Sequence, residues 1–321
     1  MARYQLFFER LPWGAVELRN LKLFINVAAT GSFSRAAALA DLTQSSVSKA
    51  VFQLEQELTA RLFERTGRGV VLTEAGRILL PRAQALLADA EALGSLAAEL
   101  IGAVTGIVRL ATQPSVSWPL AYDLVVLTRE RHPQIRLQID EGTTHQIEQW
   151  LVEGQCDLGV LSRTPSAELS ESWPLFSLPL LLVSAAGALN KAEASVPFSV
   201  LADLPLVAPT APNGGRMLIE EEARRRGIRL NIVLEVNSAN LVKRLTAMGE
   251  GFMVATWPWV AIEVAAGELS ATRLVNPVLR QTFHLAVGGR RQPSAAVRAV
   301  ATIVRELMPS EGWQTTMHAP R

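Results

Sequence analysis

The sequence predicts an α+β protein of several domains: a winged helix-turn-helix at the amino-terminal end, a long linker helix, and two α/β lobes. Two short helical patterns joined by a tight turn lie in the first quarter of the chain, and a leucine repeat with a seven-residue period follows them. After Gly102, short apolar strands alternate with helical segments. The predicted segments are an extension (1–17), the winged helix-turn-helix (18–72), the linker helix (73–102), the two lobes (103–309) and a tail (310–321).

Composition bounds the class of protein. The chain has 321 residues, 49% of them hydrophobic, which is too long for one ordinary core and enough for two or three. The one cysteine, Cys156, excludes an internal disulfide and a multi-cysteine zinc site, which suits a reducing cytoplasm. Glu9, Arg10 and Pro12 interrupt the apolar residues of the first segment, which argues against a signal peptide or a membrane span. We expect a cytoplasmic protein with no membrane partner, in which residues 1–17 are a genuine extension or reflect a misassigned start codon.

The predicted helix-turn-helix begins at Ser32, which can cap a helix that runs to Ala40. After a two-residue turn, Thr43 can cap a second helix over 44–58 by accepting a hydrogen bond from an unpaired backbone N–H group. The apolar residues of this second helix recur at three- and four-residue steps: Val47, Val51, Leu54 and Leu58. They share one face, which we expect to dock on the first helix.

The other face of the second helix is polar. It carries Gln44, Ser45, Ser48, Lys49 and Gln53. Gln can pair with adenine edges, Ser with many groups, and Lys with guanine or phosphate, so this face suits a DNA major groove. Two short helices of this kind also match helix-turn-helix geometry. Two packed helices with a solvated outer face would produce the same pattern.

A basic segment favours the DNA-binding interpretation. Residues 61–72 place Arg65 and Arg68 in or beside a predicted hairpin with a Gly67-Arg68-Gly69 turn, and such a wing can contact phosphates. Between Arg19 and Arg82 there are nine Lys and Arg against five Asp and Glu, so this region is near +4 although the whole chain is +1. A positive charge confined to one region is expected when only that region meets nucleic acid.

These residues resemble the LysR-type transcriptional regulators. The matching run extends from Leu18 to Gly76 and combines an early Leu-x-x-Phe helix, GSFSRAA, TQSSVSK, LEQELTARLFER and LTEAG; a looser similarity continues to about Met308. The resemblance implies a sequence-specific regulator that binds double-stranded DNA and is modulated by a small-molecule effector. Ser46 departs from the family, where alanine or proline is common. The residues predicted to contact DNA are Ser34, Arg35, Thr43, Gln44, Ser45, Ser46, Ser48, Lys49, Gln53, Arg65 and Arg68.

The linker helix is predicted from Thr73, its cap, to about Gly102, with a bend at Pro81. Its apolar stripe has a seven-residue period typical of a coiled coil, with Leu80 and Leu87 beside it: Leu79, Leu86, Leu93 and Leu100. The stripe must pack either on the chain's own core or on a second copy. The resemblance favours a homodimer through this helix, with half-sites about one helical turn or a multiple apart, and further assembly into a homotetramer.

The remainder reads as two α/β lobes. Strands 107–112, 135–140 and 157–162, separated by helices 117–131 and 145–153, predict a βαβαβ unit with a parallel sheet. The later strands are predicted at 178–183, 206–208, 232–236, 252–255, 272–275 and 282–287. The later helices are predicted at 214–226, 240–249, 258–266 and 294–308. The resemblance implies that an effector binds between the lobes, as in the similar periplasmic binding proteins.

Small polar residues follow the predicted strands, where parallel sheets place their ligands. The candidate effector-binding residues are Thr112, Gln113, Ser115, Thr143, Thr144, Ser162, Arg163, Asn237 and Ser238. Such a set suits a small anionic metabolite, although Ser, Thr and Asn also cap helices anywhere. Thr112, Ser115 and Thr144 are our first choices. Trp118 and Trp257 could wall the cleft, but a core position is favoured for both.

Motifs of catalysis are missing from the sequence. It contains no G-x-S-x-G, no G-x-x-x-x-G-K-[ST] and no H-E-x-x-H, and its four histidines are scattered. We therefore expect neither an enzyme nor a metal or other cofactor apart from the effector. A cytoplasmic small-molecule-binding module, or an enzyme using the cleft between the lobes, remain as alternatives, but only a regulator explains the amino-terminal third.

Overall fold

A computed structural model describes residues 16–67, 69–100, 104–162, 171–188, 195–288 and 292–307. For residues 91, 92 and 94–100 it describes the backbone only. Its contacts divide the chain into an amino-terminal and a carboxyl-terminal unit, with the boundary in the long helix after Gly94. None of the helices in the described ranges is long and apolar enough to cross a membrane.

The amino-terminal unit is a winged helix-turn-helix. Its elements are α1 (Leu18–Thr30), α2 (Phe33–Ala40), α3 (Gln44–Glu57), β1 (Phe63–Thr66) and β2 (Gly69–Leu72). Ser32 caps α2 by accepting a hydrogen bond from the Arg35 N–H, and Thr43 caps α3 by accepting one from the Ser46 N–H. The predicted apolar face of α3 is confirmed, because Val47 and Leu54 are fully buried in the core that the three helices share.

The linker helix α4 (Glu74–Leu100) begins as predicted, with the Thr73 hydroxyl accepting a hydrogen bond of 3.0 Å from the Gly76 N–H and with Pro81 inside the helix. Its leucine stripe does not form one uniform seam. Leu79 packs partly buried against the core of the amino-terminal unit, whereas Leu86 and Leu93 are 52% and 69% exposed. The first heptad position is therefore used within the chain, because the start of α4 lies over the helix-turn-helix core.

The carboxyl-terminal unit contains a first lobe built on the predicted βαβαβ pattern. Its elements are β3 (Gly106–Thr112), α5 (Pro114–Arg131), β4 (Ile135–Glu141), α6 (Thr144–Glu153), β5 (Leu158–Leu161), β12 (Arg280–Val287) and α10 (Ala295–Leu307). β3 pairs in parallel with β4 and β5, as predicted. The sheet as a whole is mixed, because β12 returns from the far end of the chain and joins β5 antiparallel.

A long strand, β6 (Glu171–Ala185), passes from the first lobe into the second and is more than twice as long as the predicted strand at 178–183. Its first part pairs with β12, and its second part pairs with β10 (Met253–Thr256) and β11 (Leu269–Val275). The second lobe adds α7 (Gly214–Arg225), α8 (Ala239–Ala247), α9 (Trp257–Ala265) and the parallel pair β8 (Leu206–Ala208) and β9 (Ile232–Glu235). The sequence did not predict β7 (Ser195–Pro197) or the 3₁₀ helix Phe198–Ala202, which are too short for a periodic pattern.

Candidate functional site

The polar face of α3 is open to solvent. Gln44 and Lys49 are exposed and Ser48 is half-buried. The hydroxyls of Ser45 and Ser46 instead lie 3.0 and 2.8 Å from the Thr43 hydroxyl, so they take part in the cap of the helix. The hydroxyl of Ser46, the residue that departs from the family, is therefore engaged within the protein.

Gln53 is also engaged, because its Nε2 donates a 3.0 Å hydrogen bond to Oε1 of Glu57. Within the described residues, Gln44, Ser48 and Lys49 have no hydrogen bond or ion pair from their side chains. These three are consequently the side chains of the predicted set on α3 that can pair with a ligand without giving up an existing contact.

The wing is held against the helices. The Val70 N–H donates a 3.1 Å hydrogen bond to the Gly31 carbonyl, and a Cβ atom at Gly69 would lie 2.6 Å from that same oxygen. Gly69 also has a φ of 140°, so this close approach requires glycine. Arg65 is exposed on β1 as predicted, and Arg68 lies outside the described residues. Ser34 and Arg35 are exposed on α2, where the Arg35 guanidinium donates to the Thr30 carbonyl.

Glu55 positions the wing and was missed by the sequence analysis. Its Oε1 accepts hydrogen bonds from the backbone N–H groups of Leu62 and Phe63, at 2.7 and 3.3 Å. It thereby satisfies two donors where the chain turns from α3 into β1. An acidic residue in a half-buried helix position was the available signal, but charged residues near a helix end are too common to single it out.

A cavity of about 620 Å³ lies between the two lobes of the carboxyl-terminal unit. Five helices, α5 to α9, begin at its wall, and their first residues or caps line it: Ser115, Thr143, Gly215, Ser238 and Pro258. The amino-terminal end of a helix carries unpaired N–H groups and a partial positive charge. The cavity is thus surrounded by hydrogen-bond donors and by favourable dipoles for an anion.

Three of these five helix starts are capped by side chains. The Thr143 hydroxyl accepts from the Gln146 N–H while Oε1 of Gln146 accepts from the Thr143 N–H, a reciprocal capping box. Asn213 caps α7 and Ser238 caps α8. The remaining two, α5 and α9, have no side-chain cap hydrogen bond. In α5 the first residue, Pro114, has no N–H group, and the Val116 N–H donates a 3.1 Å hydrogen bond to the Gln113 carbonyl, so the Ser115 N–H is the first donor of α5 that another acceptor can use.

α5 is uncapped because Gln113, at its cap position, bonds elsewhere. Nε2 of Gln113 donates a 2.9 Å hydrogen bond to the Thr144 hydroxyl, which lies 3.0 Å from the Ser162 hydroxyl. All three side chains are buried. Oε1 of Gln113 is also buried, with no hydrogen-bond partner among the described residues. This chain of polar groups begins at the cavity wall with Gln113 and continues behind it to Thr144 and Ser162.

The predicted effector-binding residues divide between the wall and its support. Five line the cavity: Gln113, Ser115, Thr143, Asn237 and Ser238. Thr112, Thr144 and Ser162 are buried and do not line it, and the start of α7 lies close to the hydroxyls of Thr144 and Ser162. A Cβ atom at Gly214 of α7 would lie only 2.4 Å from the Ser162 hydroxyl, so the lobes meet closely there. Arg163 lies outside the described residues.

Three charged residues on the cavity wall were missed as effector-binding candidates, namely Glu141, Arg216 and Lys243. Arg216 bonds Glu220 and the Pro209 carbonyl at 2.6 and 2.7 Å and also contacts Glu235. Burial lowers the pKa of Arg216, but hydrogen bonds to these two glutamates outweigh it and the pKa is raised. Lys243 donates to Glu263 in the same wall. A basic residue in the first turn of a helix, where the dipole opposes it, was the signal for Arg216.

The tryptophans do not all lie where they were expected. Trp118 is 66% exposed and lines the cavity, so its predicted core position is wrong. It lies at the start of the second turn of α5. Trp257 packs against the core of the second lobe, as favoured, and Trp259 lines the cavity instead.

Cys156 is not arranged for reaction. It is buried, and burial together with the nearby Asp157 and Asp140 raises the pKa of its thiol well above the usual range. Such a thiol stays protonated and is a poor nucleophile. Among the described residues, no group of three or more His, Cys, Asp or Glu is placed to hold a metal ion.

Two family models match the chain. Residues 18–77 match the model of the bacterial regulatory helix-turn-helix protein, lysR family, and residues 102–309 match that of the LysR substrate binding domain. Among curated proteins, the uncharacterized HTH-type transcriptional regulator YfeR of Shigella flexneri is 29% identical over 290 residues, covering 90% of this chain and 93% of its own length. A probable hydrogen peroxide-inducible genes activator of Mycobacterium leprae is 27% identical over 296 residues, covering 92% of this chain and 95% of its own length.

Solved structures show the same fold over nearly the whole chain. CbnR, a LysR family transcriptional regulator, superposes with a TM-score of 0.69 at 21% identity, covering 92% of this chain and 100% of CbnR. Full-length CbnR complexed with its target DNA gives a TM-score of 0.67 at 22% identity, covering 90% and 99%. With its winged helix-turn-helix, its two-lobed domain and both family matches, the chain belongs to the LysR family and is a DNA-binding transcriptional regulator with an effector-binding domain.

Proposed function

We propose that the effector is a small anionic metabolite whose acid group binds at the start of α5 in the cavity between the lobes. The observation that carries this proposal is the uncapped amino-terminal turn of α5, where Ser115 lines the cavity and the cap residue Gln113 is bonded to Thr144 instead. An acceptor from the ligand would complete this turn, and a negative charge is favoured there by the helix dipole.

The opposite wall supports the same assignment. Arg216 and Lys243 supply cations, although Glu220, Glu235 and Glu263 already neutralise them. The uncapped starts of α5 and α9 are therefore the groups on the wall that an anion can use, and the ion pairs contribute fixed donors. A ligand bound to both walls would hold the two lobes together. If it changes the affinity of the protein for DNA, then DNA must change the affinity of the protein for the ligand by the same factor.

Ser115→Ala should weaken effector binding by about 1.5–3 kcal/mol, the contribution of a hydrogen bond to a charged group. Carboxylates and phosphates would first be screened with the full chain by thermal shift, since a ligand that binds only the folded state raises the melting temperature. The hits would then be measured by calorimetry. If only neutral or cationic compounds bind, the anionic class is wrong; if anions bind Ser115→Ala as tightly as the original protein, the α5 subsite is wrong.

Thr144→Val should abolish the effector response at near-constant volume while sparing DNA binding. It removes the acceptor for Gln113 and the link to Ser162, so Gln113 loses the hydrogen bond that holds it away from the start of α5. The matched control is Thr128→Val, in the last turn of α5, where the buried hydroxyl has no partner among the described residues. Equal responses from both variants would remove Thr144 from the site.

Oxidation of a thiol is a second candidate signal, because two relatives are named as probable hydrogen peroxide-inducible genes activators. The single cysteine of this chain cannot form a disulfide with another cysteine of the same chain. Its thiol is also buried and has a raised pKa. These facts favour a bound metabolite over a thiol switch.

We also propose that the regulator is a homodimer through α4 and a homotetramer through its carboxyl-terminal units. Leu86 and Leu93 lie seven residues apart on α4 and are exposed, as expected of a stripe that a second copy covers. A separate apolar stripe on α5 is also exposed, at Tyr122 and Val126. Two distinct apolar faces suit two distinct contacts between copies.

The double variant Leu86→Glu/Leu93→Glu should prevent pairing through α4, because charged side chains cannot pack in an apolar seam. Tyr122→Glu/Val126→Glu is the matched comparison and should leave dimers while removing tetramers. Light scattering coupled to size exclusion would give the masses, and operator binding would fall steeply only for the α4 variant. Unchanged assembly in either variant would contradict the corresponding contact.

We further infer that the chain acts in the cytoplasm, without a metal or other cofactor and without catalytic activity. Its relatives are named as transcriptional regulators, and the thiol of Cys156 is buried.

A further inference from the structure

An aromatic ring is exposed on the recognition helix. Phe52, in α3, is 56% exposed. The other described phenylalanines of the amino-terminal unit are clustered in its core, where the rings of Phe24 and Phe33 lie 5.4 and 5.8 Å from that of Phe63. The ring of Phe52 makes no such contact within the described residues. It therefore contributes little to the packing of the unit.

Phe52 lies on the same face of α3 as the open polar side chains. It follows Lys49 by three residues and Ser48 by four, and residues at these spacings are neighbours on a helix surface. The apolar face of α3, with Val51 and Leu54, points into the core instead. Phe52 lies roughly 12 Å along the axis from Gln44, by the usual rise per residue. The ring thus extends the groove-facing surface by one more turn.

The side chains around the Phe52 ring indicate which kind of group the ring can contact. Ser45 bonds within the cap and Gln53 bonds Glu57. Gln44, Ser48 and Lys49 supply the available polar groups of this face, and Phe52 supplies its apolar group. In the major groove the apolar feature of the base edges is the C5-methyl group of thymine, which phenylalanine can contact. Phe52 extends the polar face of α3, and DNA is the partner expected for that face.

We propose that Phe52 is a specificity-determining residue that contacts the C5-methyl group of one thymine in each operator half-site. The proposal rests on α3 being the recognition helix. Contact with the methyl group removes both apolar surfaces from water, whereas cytosine and deoxyuridine offer no methyl group at that edge. Phe52 therefore selects thymine at one position by its methyl group, whereas hydrogen-bonding side chains recognise the polar groups of the base edges.

The test uses the full chain and an operator recovered by selection from random duplex DNA. Each thymine in turn is replaced by deoxyuridine, which removes the methyl group and leaves base pairing intact. For the original protein, one thymine per half-site should be sensitive, with affinity falling roughly fourfold, the effect of returning one methyl group to water. Phe52→Ala should bind the thymine operator more weakly by a similar factor and be indifferent to deoxyuridine at that position.

Control variants separate the possible failures. Leu39→Ala removes an exposed apolar side chain from α2 and should keep full sensitivity to deoxyuridine. If Ser48→Ala and Lys49→Ala bind the operator normally, the placement of the recognition helix is wrong. If these two weaken binding but Phe52→Ala responds to deoxyuridine as the original protein does, the contact with thymine is refuted alone. A changed oligomeric mass for Phe52→Ala with unaltered discrimination would assign the ring to a second copy and also overturn the proposal.

Discussion

Lys49→Ala is expected to weaken binding to the operator by about 1–3 kcal/mol for each half-site, the value of one good contact to a base edge. The ammonium group is exposed and has no ion pair among the described residues, so the substitution removes little from the folded protein. Ser48→Ala, one residue earlier on the same face, should act in the same direction with a smaller effect. Affinity for operator and for unrelated duplex would be measured in parallel.

Arg65→Ala provides the contrast. Arg65 lies on β1, away from α3, and we expect it to contact phosphate. Its removal should therefore weaken binding to all sequences alike and reduce the slope of log affinity against log salt by about 1. If Arg65→Ala lowers the affinity for the operator alone, the phosphate role of the wing is wrong. If Lys49→Ala lowers the affinity for every sequence equally, the base-reading role of the helix is wrong.

Gly76→Ala should destabilise the amino-terminal unit by about 1–3 kcal/mol, the usual cost of forcing an extra methyl group into a packed site. A Cβ atom at this position would lie 2.3 Å from the Leu62 carbonyl oxygen and 2.9 Å from Cδ2 of Leu72. The first of these is backbone, which cannot move aside as a flexible side chain can. Denaturant unfolding of the full chain, followed by a probe in the helix-turn-helix, would measure the loss.

The contact at Gly76 is where the linker helix is joined to the DNA-binding head. The Thr73 N–H donates a 3.0 Å hydrogen bond to the same Leu62 carbonyl, and the Thr73 hydroxyl donates a 2.6 Å hydrogen bond to the Arg61 carbonyl. Gly76→Ala should therefore also loosen the head on its helix and lower operator affinity. Gly67→Ala is the matched control, since a Cβ atom there would meet nothing within 4 Å. Equal stability of the two variants would show that the junction is not rigid.

Much of the fold could be predicted from the sequence because its signals are local. Caps such as Ser32 and Thr43 and the apolar steps of α3 are set within a few residues of chain. The βαβαβ pattern of the first lobe is local in the same sense, and its parallel pairing follows from the crossover helix that connects each strand to the next. The antiparallel return of β12 was not predictable, because it depends on pairing across more than a hundred residues.

The candidate site was predictable as a set of strand and helix ends, but not as a surface. Ser115 and Thr143 line the cavity, while Thr144 and Ser162 carry the same kind of hydroxyl and lie behind its wall. The residues that line the cavity and those that lie behind its wall are thus of the same type. Only the packing of the start of α7 over the first lobe, through the glycine at 214, decides which hydroxyls a ligand can reach.

The amino-acid sequence by itself determined the helix-turn-helix, the exposed polar face of its second helix and most of the order of strands and helices, because hydrophobic period, capping and turn chemistry act over short stretches. Tertiary structure alone decided that Leu79 is used within the chain, that α5 is left uncapped, and that Arg216 and Lys243 meet their glutamates in the cavity wall. Each of these outcomes depends on groups that the fold brings together from separate elements. The distances between such groups cannot be inferred from any one stretch of the sequence.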